Sequence, residues 1–231
     1  MRYICTLCAL AVSASASQVV DINLQNHFND PGLPSGHGWT YFGNNGEGVY
    51  SHPGTWLQLY DIGSDAQAGY HFDKDLDRRD SWYLQTEFIL YGSEGPWGFS
   101  FGLNNSQFTA DFGITYGSIA VSGYGDYSYP WRGTIPHRLL AQGDKTGWDL
   151  QVNGQQIFNS RWYGGTGYMA PTDPTPRKYG SIYFGDTTGN QDAYWQIDYL
   201  FYHSQLDTPE PAWMGAAGLV LLAVGHFGRK R

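Results

Sequence analysis

The chain has 231 residues, enough for one ordinary domain with terminal signals, and it is rich in glycine (31) and in aromatic residues (17%). Its formal net charge of −8 repels a phosphate backbone and argues against a nucleic-acid partner, whereas it suits a soluble exported protein. Because glycine favours turns and aromatic residues favour strands, the composition predicts an all-β domain.

Residues 1–17 have the layout of a secretory signal peptide. Arg2 provides the basic start, an apolar stretch follows, and small residues surround a cleavage pattern at 14–16. A buried first strand is the alternative, but the run of small residues would pack poorly in a core. Both cysteines, Cys5 and Cys8, lie inside the signal, so we expect the exported domain to fold without disulfides.

Two segments alternate with period two, as half-buried antiparallel strands do. In segment 81–91 the inward set is Trp82, Leu84, Thr86, Phe88 and Leu90, and the outward set is Tyr83, Gln85, Glu87, Ile89 and Tyr91. In segment 193–202 the inward set is predicted to be Trp195, Ile197, Tyr199 and Phe201, and the outward set Tyr194, Gln196, Asp198 and Tyr202.

Segment 147–158 predicts a β-hairpin. Trp148, Leu150 and Val152 alternate with polar residues, and Asn153-Gly154 then supplies a two-residue turn, because both residues tolerate positive φ. Further strands are predicted at 18–24, 55–61, 68–72, 97–103, 107–115, 117–122, 136–142 and 180–185. Turn-rich stretches separate them at 29–38, 43–48, 123–133 and 163–178. Short strands at this spacing predict an all-β, antiparallel two-sheet β-sandwich or jelly roll over 18–204.

The C-terminus combines three features in order. A linker at 205–211 ends in the motif Pro209, Glu210, Pro211, an apolar segment covers 212–227, and a basic tail closes the chain at 228–231. This arrangement resembles the PEP-CTERM sorting signal. The resemblance implies export from a Gram-negative bacterium, processing by an exosortase at the inner membrane, and association with extracellular polysaccharide or biofilm.

The apolar segment 212–227 is short for a permanent anchor. As a helix it would extend about 24 Å, against a hydrocarbon core of about 30 Å. Its basic end would stay in the cytoplasm and the β domain outside. We therefore expect this transmembrane helix to hold a transient inner-membrane intermediate, followed by a location at the cell surface or outside the cell.

The body resembles the concanavalin A-like lectin/glucanase superfamily of the laminin-G-like sort. Two segments carry the resemblance. Residues 137–158 contain Trp-x-Leu-x-Val-Asn-Gly, and residues 179–202 contain Gly-x-Ile-x-Phe-Gly-Asp followed by Ile-Asp-Tyr. The resemblance implies a concanavalin-like jelly roll and bears on fold more than on function.

Glucanases of this superfamily carry their catalytic carboxylates as Glu-x-Asp-x-x-Glu on one strand. Retaining hydrolysis needs two carboxyl groups about 5–5.5 Å apart. This motif is not in the sequence, and Glu87 is preceded by Gln85, whose amide cannot act as acid or nucleophile. A pair from different strands, Glu87 with Asp198, stays open. A glycoside hydrolase or polysaccharide lyase is therefore the alternative to a non-catalytic protein.

Two acidic loops are candidates for calcium, since carboxylate and carbonyl oxygens suit this ion. The first contains Asp73, Asp75 and Asp77 but fails the EF-hand pattern, and the second contains Asp186 and Asp192. The two arginines beside the first set of carboxylates favour a solvated, self-neutralised loop, and turn formation by aspartate is the favoured explanation of the second loop. No histidines have the spacing of a ligand set, so no cofactor is expected and Ca²⁺ is the metal left open.

The outward strand positions and the loop 123–133 carry groups that suit sugars. Sugar rings present apolar C–H faces to aromatic side chains, while amides and carboxylates bond the hydroxyls. The predicted glycan-binding residues are Tyr83, Gln85, Glu87, Tyr124, Tyr127, Tyr129, Trp131, Tyr194 and Gln196. Cross-strand packing of tyrosines is the alternative and leaves a purely structural surface protein. The favoured function is non-catalytic binding of extracellular polysaccharide by an exported protein.

Overall fold

In the residues that it describes, the computed structural model of the protein has fifteen strands in two antiparallel sheets. The described residues are 24–27, 32–44, 46, 50–51, 56–61, 67–73, 81–104, 108–130, 135–170, 181–188 and 190–205. The strands are β1 (Leu24–His27), β2 (Thr40–Gly43), β3 (Tyr50–Ser51), β4 (Leu57–Asp61), β5 (Ala68–Asp73), β6 (Ser81–Ser93), β7 (Ser100–Asn104), β8 (Thr109–Thr115), β9 (Ser118–Val121), β10 (Gly125–Ser128), β11 (His137–Asp144), β12 (Gly147–Val152), β13 (Gln155–Asn159), β14 (Ser181–Asp186) and β15 (Ala193–Gln205). Short 3₁₀ helices cover Pro34–His37, Pro96–Gly98 and Ser160–Tyr163.

The two sheets have different sizes. The eight-stranded sheet has the order β13-β12-β11-β6-β15-β4-β3, with β1 also pairing with β15. The seven-stranded sheet has the order β10-β9-β8-β7-β14-β5-β2. Many neighbours are distant in sequence, as in the pairing of β6 with both β11 and β15. The predicted all-β two-sheet sandwich is confirmed.

Aromatic rings from both sheets meet in the core around Trp195 of β15. The Trp195 ring stacks on Phe99 at 4.6 Å between centroids and lies 6.2 Å from Phe184 of β14. Phe99 also contacts Phe88 of β6 at 5.2 Å. All four rings are fully buried, so the contact between the sheets is dominated by aromatic burial.

The alternation along β6 and the hairpin between β12 and β13 follow the sequence prediction. All five predicted inward residues of β6 are buried. Asn153 and Gly154 have φ of 50° and 78°, as the two-residue turn requires. Trp148, Leu150 and Val152 are buried on the inner face. These local patterns therefore predicted both elements and their inward residues, whereas Ile89, predicted in the outward set of β6, is buried.

The predicted faces of β15 are correct only as far as Ile197. Ile197 pairs with Phe88 and Tyr199 pairs with Glu87, so Asp198 is an extra residue in a β-bulge. The extra residue shifts the alternation by one position. The predictions for three residues are therefore wrong: Tyr199 and Phe201 face outward, and Tyr202 is buried.

Thr86 lies beside this bulge and explains a polar residue in the inward set of β6. Its side chain is fully buried, and its hydroxyl donates to the carbonyl oxygen of Tyr199 at 2.5 Å. The bond satisfies a buried hydroxyl where the regular ladder is interrupted.

Several short elements were missed by sequence reasoning. Strand β10 lies inside the stretch 123–133 that was predicted as a turn, and β2 and β3 were not predicted. The predicted signal 1–17, the motif 209–211 and the segment 212–227 lie outside the described residues. Within the described ranges, no helix is long and apolar enough to cross a membrane.

Candidate functional site

The outward face of the eight-stranded sheet carries polar and aromatic side chains in rows across the strands. The pairing of β12, β11, β6 and β15 sets these rows. The first row is Asp149, Gln142, Tyr83 and His203. The second is Gln151, Leu140, Gln85 and Phe201, and the third is Arg138, Glu87 and Tyr199.

The first hollow lies over the first row and has a volume of about 390 Å³. Its outward lining residues are Ser81, Tyr83, Gln142, Asp144, Asp149, Asn159, Arg161 and His203. The centroid of the Tyr83 ring lies 5.2 Å from that of the His203 ring and 5.3 Å from that of the Phe201 ring, and these contacts support the Tyr83 ring. The hollow therefore has an aromatic wall beside polar groups.

Amides converge on one carboxylate in this hollow. Gln142 donates to an Asp149 carboxylate oxygen at 3.3 Å, and Gln151 donates to the same group at 3.2 Å. A carboxylate can accept several hydrogen bonds at once, so Asp149 keeps lone pairs for a further donor such as a sugar hydroxyl. The two amides hold the carboxylate in place before any ligand arrives.

Asp144 at the rim of the first hollow is held ionised. Burial alone would raise the pKa of its carboxyl, but hydrogen bonds from Thr146 and the charge of Arg161 outweigh it and lower the pKa. The Thr146 amide and hydroxyl lie 2.7 and 2.6 Å from Asp144 Oδ1, and Arg161 donates to the Thr146 hydroxyl at 2.9 Å. An ionised carboxylate accepts hydrogen bonds but cannot donate a proton.

The second hollow lies over the second and third rows and has a volume of about 570 Å³. Its lining residues are Gln85, Glu87, Pro136, Arg138, Leu140, Gln151, Asn153 and Gly154. Gln85 donates to the Tyr199 hydroxyl at 2.7 Å. Glu87 faces Arg138 across the strands, so opposite charges stand side by side on its floor.

The two hollows adjoin along β11. Gln142 lines the first hollow and Leu140 the second, and two residues along a strand correspond to about 7 Å. One elongated surface therefore runs along β11 from the turn at Asp144 to the turn at Asn153.

A second group of predicted residues lies further along the same sheet face and bonds within itself. The Tyr194 ring stacks on Tyr91 at 4.4 Å and contacts Tyr60 at 5.2 Å. Gln196 donates to the Gln58 amide oxygen at 2.6 Å and accepts from the Tyr91 hydroxyl at 3.1 Å. Burial and then the neighbouring Tyr194 raise the pKa of Tyr91. We call these five residues the closed cluster.

The residues predicted in the stretch 123–133 lie in different environments. Tyr124 and Tyr127 pack on Phe158 at 5.2 and 5.7 Å at the edge of the sandwich. Burial and then the hydrogen bond to Tyr163 raise the pKa of Tyr127. Tyr129 is 6% exposed and belongs to the core, and Trp131 lies outside the described residues.

The two candidate catalytic carboxylates are not brought into one hollow. Glu87 lines the second hollow, whereas Asp198 lies at the bulge of β15 and lines neither hollow. Glu87 is the single carboxylate among the residues that line the second hollow. The bulge places Asp198 directly before Tyr199, which pairs with Glu87, so an acid–nucleophile pair of Glu87 and Asp198 stays a prediction.

Among the candidate calcium ligands, the side chain of Asp186 stabilises a backbone turn. Oδ1 of the buried Asp186 accepts from the Thr188 amide at 2.8 Å and from its hydroxyl at 3.3 Å. The Asp192 carbonyl accepts from the Glu94 amide at 2.9 Å. Asp73 contacts His71 at 2.9 Å, and Asp75 and Asp77 lie outside the described residues. Among the described residues no group of three or more potential ligands is placed to hold a metal.

Sequence reasoning missed several residues that line the hollows. They are Arg138, Gln142, Asp149, Arg161 and His203. The alternation of segments 136–142 and 147–158 predicted outward positions, but only the pairing of β11 with β6 places them beside Tyr83 and Glu87. A sequence signal for this pairing would be covariation between homologues, which a single sequence does not contain.

Comparisons with known proteins bear on the fold. No protein-family model matches the sequence, and no curated protein matches it. A carbohydrate esterase from the Shiga toxin-encoding bacteriophage phi24B matches with a TM-score of 0.54 at 8% identity over 80% of this chain and 99% of that one. Lectin II from Ulex europaeus gives 0.52 at 9% identity over 81% and 99%. A protein of unknown function from Shewanella oneidensis gives 0.50 at 9% identity over 83% and 90%. The chain shares the antiparallel β-sandwich fold of lectin II and these proteins, as the resemblance of its body to the lectin superfamily implied.

Proposed function

We propose that this protein binds polysaccharide without cleaving it, on the outward face of its eight-stranded sheet. One observation carries the proposal: the Tyr83 ring and the Asp149 carboxylate, held by two amides, lie in one cross-strand row over the first hollow. A sugar ring needs an apolar surface for its C–H face and fixed acceptors for its hydroxyls, and this row offers both.

The solved structures of similar fold are consistent with this proposal. One is named as a lectin and another as a carbohydrate esterase. At their low identities they support the fold alone, so the argument for sugar binding depends on the two hollows. The length of the surface, from the β11–β12 turn at Asp144 to the β12–β13 turn at Asn153, suits a chain of sugars better than a single residue.

The chemistry of the hollows favours binding over catalysis. Glycoside hydrolysis needs one carboxylic acid that donates a proton and a second carboxylate. The second hollow is lined by Glu87 as its carboxylate, and Asp144 of the first hollow is held ionised by Thr146 and Arg161. Both hollows do carry acceptors for hydroxyl groups.

Binding to a panel of soluble polysaccharides tests the proposal. We expect the full-length protein to bind a neutral polysaccharide such as xyloglucan or laminarin. Tyr83→Ala should weaken binding by about tenfold, because it removes the ring on which the sugar stacks. Tyr83→Phe keeps the ring and its contacts with Phe201 and His203, so it should retain most of the affinity and the unfolding temperature. Titration well below the unfolding transition of each variant separates the loss of affinity in Tyr83→Ala from its loss of stability.

Three results would count against this function. The first is no binding by the wild type to any polysaccharide of the panel. The second is unchanged binding in both Tyr83→Ala and Asp149→Ala. The third is release of reducing sugars or unsaturated products that stops in Glu87→Gln, which would establish the hydrolase or lyase instead.

We also propose that the chain reaches this substrate by export and sorting. The signal-like residues 1–17 and the tail 205–231, with its resemblance to the PEP-CTERM signal, support an exosortase-type enzyme as a processing partner. Mass spectrometry of the mature protein from fractionated cells tests this. We expect both ends to be shortened, and a mature protein that keeps Arg231 would contradict processing of the tail.

A further inference from the structure

Two neighbouring aromatic residues stand on the surface beside the first hollow. Trp162 is 57% exposed and Tyr163 is 52% exposed, at the end of the 3₁₀ helix Ser160–Tyr163. Large apolar rings exposed at two consecutive positions leave apolar surface in water, which is typical of a contact surface. We call Trp162 and Tyr163 the aromatic platform.

The platform is fixed by its backbone. The Asn159 side chain accepts from the Arg161 amide at 3.0 Å and caps the start of the helix. The buried Ser160 hydroxyl accepts from the Trp148 amide at 3.1 Å and ties the helix to β12. Gly164 ends the helix with φ of 72°, a conformation that favours glycine. A rigid backbone lowers the entropy lost when the rings bind a ligand.

The Tyr163 ring is supported from one side by other aromatic rings. Phe158 stacks on it at 6.2 Å with an angle of 19° between the planes, and Tyr124 contacts it at 5.2 Å. Its hydroxyl accepts from the Tyr127 hydroxyl at 2.7 Å. With these contacts, half of the side chain still faces solvent, so the ring offers a supported surface of the kind that sugars stack on.

The platform is continuous with the first hollow along the chain. Asn159 and Arg161 line that hollow, and Trp162 and Tyr163 follow directly. β13 is the outermost strand of the eight-stranded sheet, so the platform continues the surface past the edge of the sheet. A ligand that fills the first hollow and extends across β13 would meet these rings next.

We infer that the aromatic platform is a further sugar-binding subsite, which takes a neutral sugar residue of the same polysaccharide chain that occupies the first hollow. This inference rests on the proposed function. A chain that spans the hollow and the platform gains affinity with length, because the second contact is intramolecular once the first has formed.

The charges of this region select a neutral sugar. Asp144 and Asp149 both line the first hollow, and Asp126 is exposed on β10 beside Tyr127. The Arg161 guanidinium is already bonded to Thr146 and lies close to Asp144. Uronic acids would meet two carboxylates against one guanidinium in the first hollow, whereas neutral sugars offer hydroxyl donors to the same carboxylates.

Affinity as a function of chain length tests the inference. Cello-oligosaccharides and laminari-oligosaccharides, from the disaccharide to the octasaccharide, would be titrated against the full-length protein by calorimetry. We expect Trp162→Ala to weaken binding of the longest chains by about tenfold and to change binding of the shortest by less than about twofold. Trp162→Phe keeps an aromatic ring and should restore part of the loss. Alginate oligosaccharides should bind more weakly than neutral chains of equal length.

A matched control and the contrary outcomes separate this inference from the proposed function. Tyr116→Ala removes a ring of similar exposure (47%) in the β8–β9 turn, and it should leave all affinities unchanged. If Tyr83→Ala loses affinity while Trp162→Ala binds every length like the wild type, the subsite is refuted and the first hollow stands. If the wild type binds none of the oligosaccharides, both fail. Self-association of the wild type that Trp162→Ala abolishes would assign the platform to a second copy of the chain and refute the subsite.

Discussion

The outward face of the eight-stranded sheet has two regions that both carry tyrosine and glutamine. They differ in how many of their polar groups can still bond a ligand. Around the two hollows, within the described part of the chain, the Glu87 carboxylate has no hydrogen-bonding partner, and Asp149 is bonded by amides alone. In the closed cluster, Tyr91, Gln196 and Gln58 bond to one another. Amides are bonded in both regions, as Gln85 is to Tyr199 at the second hollow, but the carboxylates of Glu87 and Asp149 can accept from a ligand without breaking a bond.

This difference shows that tyrosine and glutamine on a sheet face do not by themselves make a binding site. A buried or half-buried polar group that already has its partners gains little from a ligand, because each new bond replaces an old one. Carboxylate acceptors with spare lone pairs beside the half-buried Tyr83 ring gain more. The spare acceptors on the carboxylates of Glu87 and Asp149 therefore separate the two regions.

The bulge at Asp198 lies between the two regions. Before it, Gln196 belongs to the closed cluster, and after it, Phe201 and His203 support Tyr83 at the first hollow. At the same point the outer neighbour of β15 changes from β4 to β1. Without the extra residue, the sequence alternation would put Phe201 in the core.

Deleting single residues on either side of this boundary has the largest expected effect. Deletion of Gln196 moves Ile197 outward and brings Asp198 into the core, so we expect the free energy of unfolding to fall by more than about 4 kcal/mol. Deletion of Asp198 removes the bulge and keeps Ile197, Leu200 and Tyr202 inward, so we expect a loss of about 1 kcal/mol. Urea denaturation measures both. Equal losses in the two deletions would show that Asp198 is not the extra residue.

Truncating one tyrosine in each region should separate stability from binding. Tyr194→Ala removes a ring that contacts Tyr91 and Tyr60, so we expect a loss of about 2 kcal/mol in the free energy of unfolding and little change in polysaccharide affinity. Tyr83→Ala removes contacts with Phe201 and His203, so it should lose a similar amount of stability, but it alone should also lose affinity for the polysaccharide. Thermal unfolding and calorimetric titration of both variants measure the two effects. If Tyr194→Ala loses affinity as much as Tyr83→Ala does, the closed cluster belongs to the site.

The second hollow depends on a buried histidine that the closed cluster does not contact. Asn153 Oδ1 accepts from the Arg138 amide at 2.9 Å, which turns Nδ2 toward His137 Nδ1 at 3.0 Å and the Tyr129 hydroxyl at 3.2 Å. An amide nitrogen only donates, so His137 must accept through Nδ1 and carry its proton on Nε2. The uncharged Phe88 ring stacks on its other side, and Tyr129 is the titratable group packed against it. Protonation would therefore place two donors against each other.

Acid should destabilise the protein through protonation of His137, and this loss should be smaller than that of Tyr194→Ala. Burial lowers the pKa of His137 below its ordinary value of 6.5, so the unfolded chain binds the proton more tightly. The stabilisation is complete above the unfolded pKa and declines as the pH falls toward the folded one. Between about pH 7 and pH 5 we expect wild type to lose about 1 kcal/mol more than His137→Gln does. Urea denaturation at both pH values measures this, with His203→Gln as the histidine control, and parallel losses in wild type and His137→Gln would contradict it.

Period-two alternation predicted the strands, and along β6 and the β12–β13 hairpin it also predicted the faces. It succeeded there because the inward residues are uninterrupted and the turn Asn153-Gly154 is encoded locally. It failed at Tyr199, Phe201 and Tyr202 because a bulge depends on the partner strand as well as on the bulged one. Of the predicted site residues, Tyr83, Gln85 and Glu87 line the hollows, whereas Tyr194 and Gln196 belong to the closed cluster.

The sequence by itself determined the all-β class, the inward faces of the regular strands and the position of the tightest hairpin, because these depend on neighbours along the chain. Only the tertiary structure decided which outward residues meet. The pairing of β6 with β11 and β15 joins residues far apart in sequence, and this pairing places Gln142, Asp149 and His203 around Tyr83. It also decided which polar groups are bonded to each other and which face solvent, since a hydrogen bond between strands depends on register and a sequence alone does not contain the register.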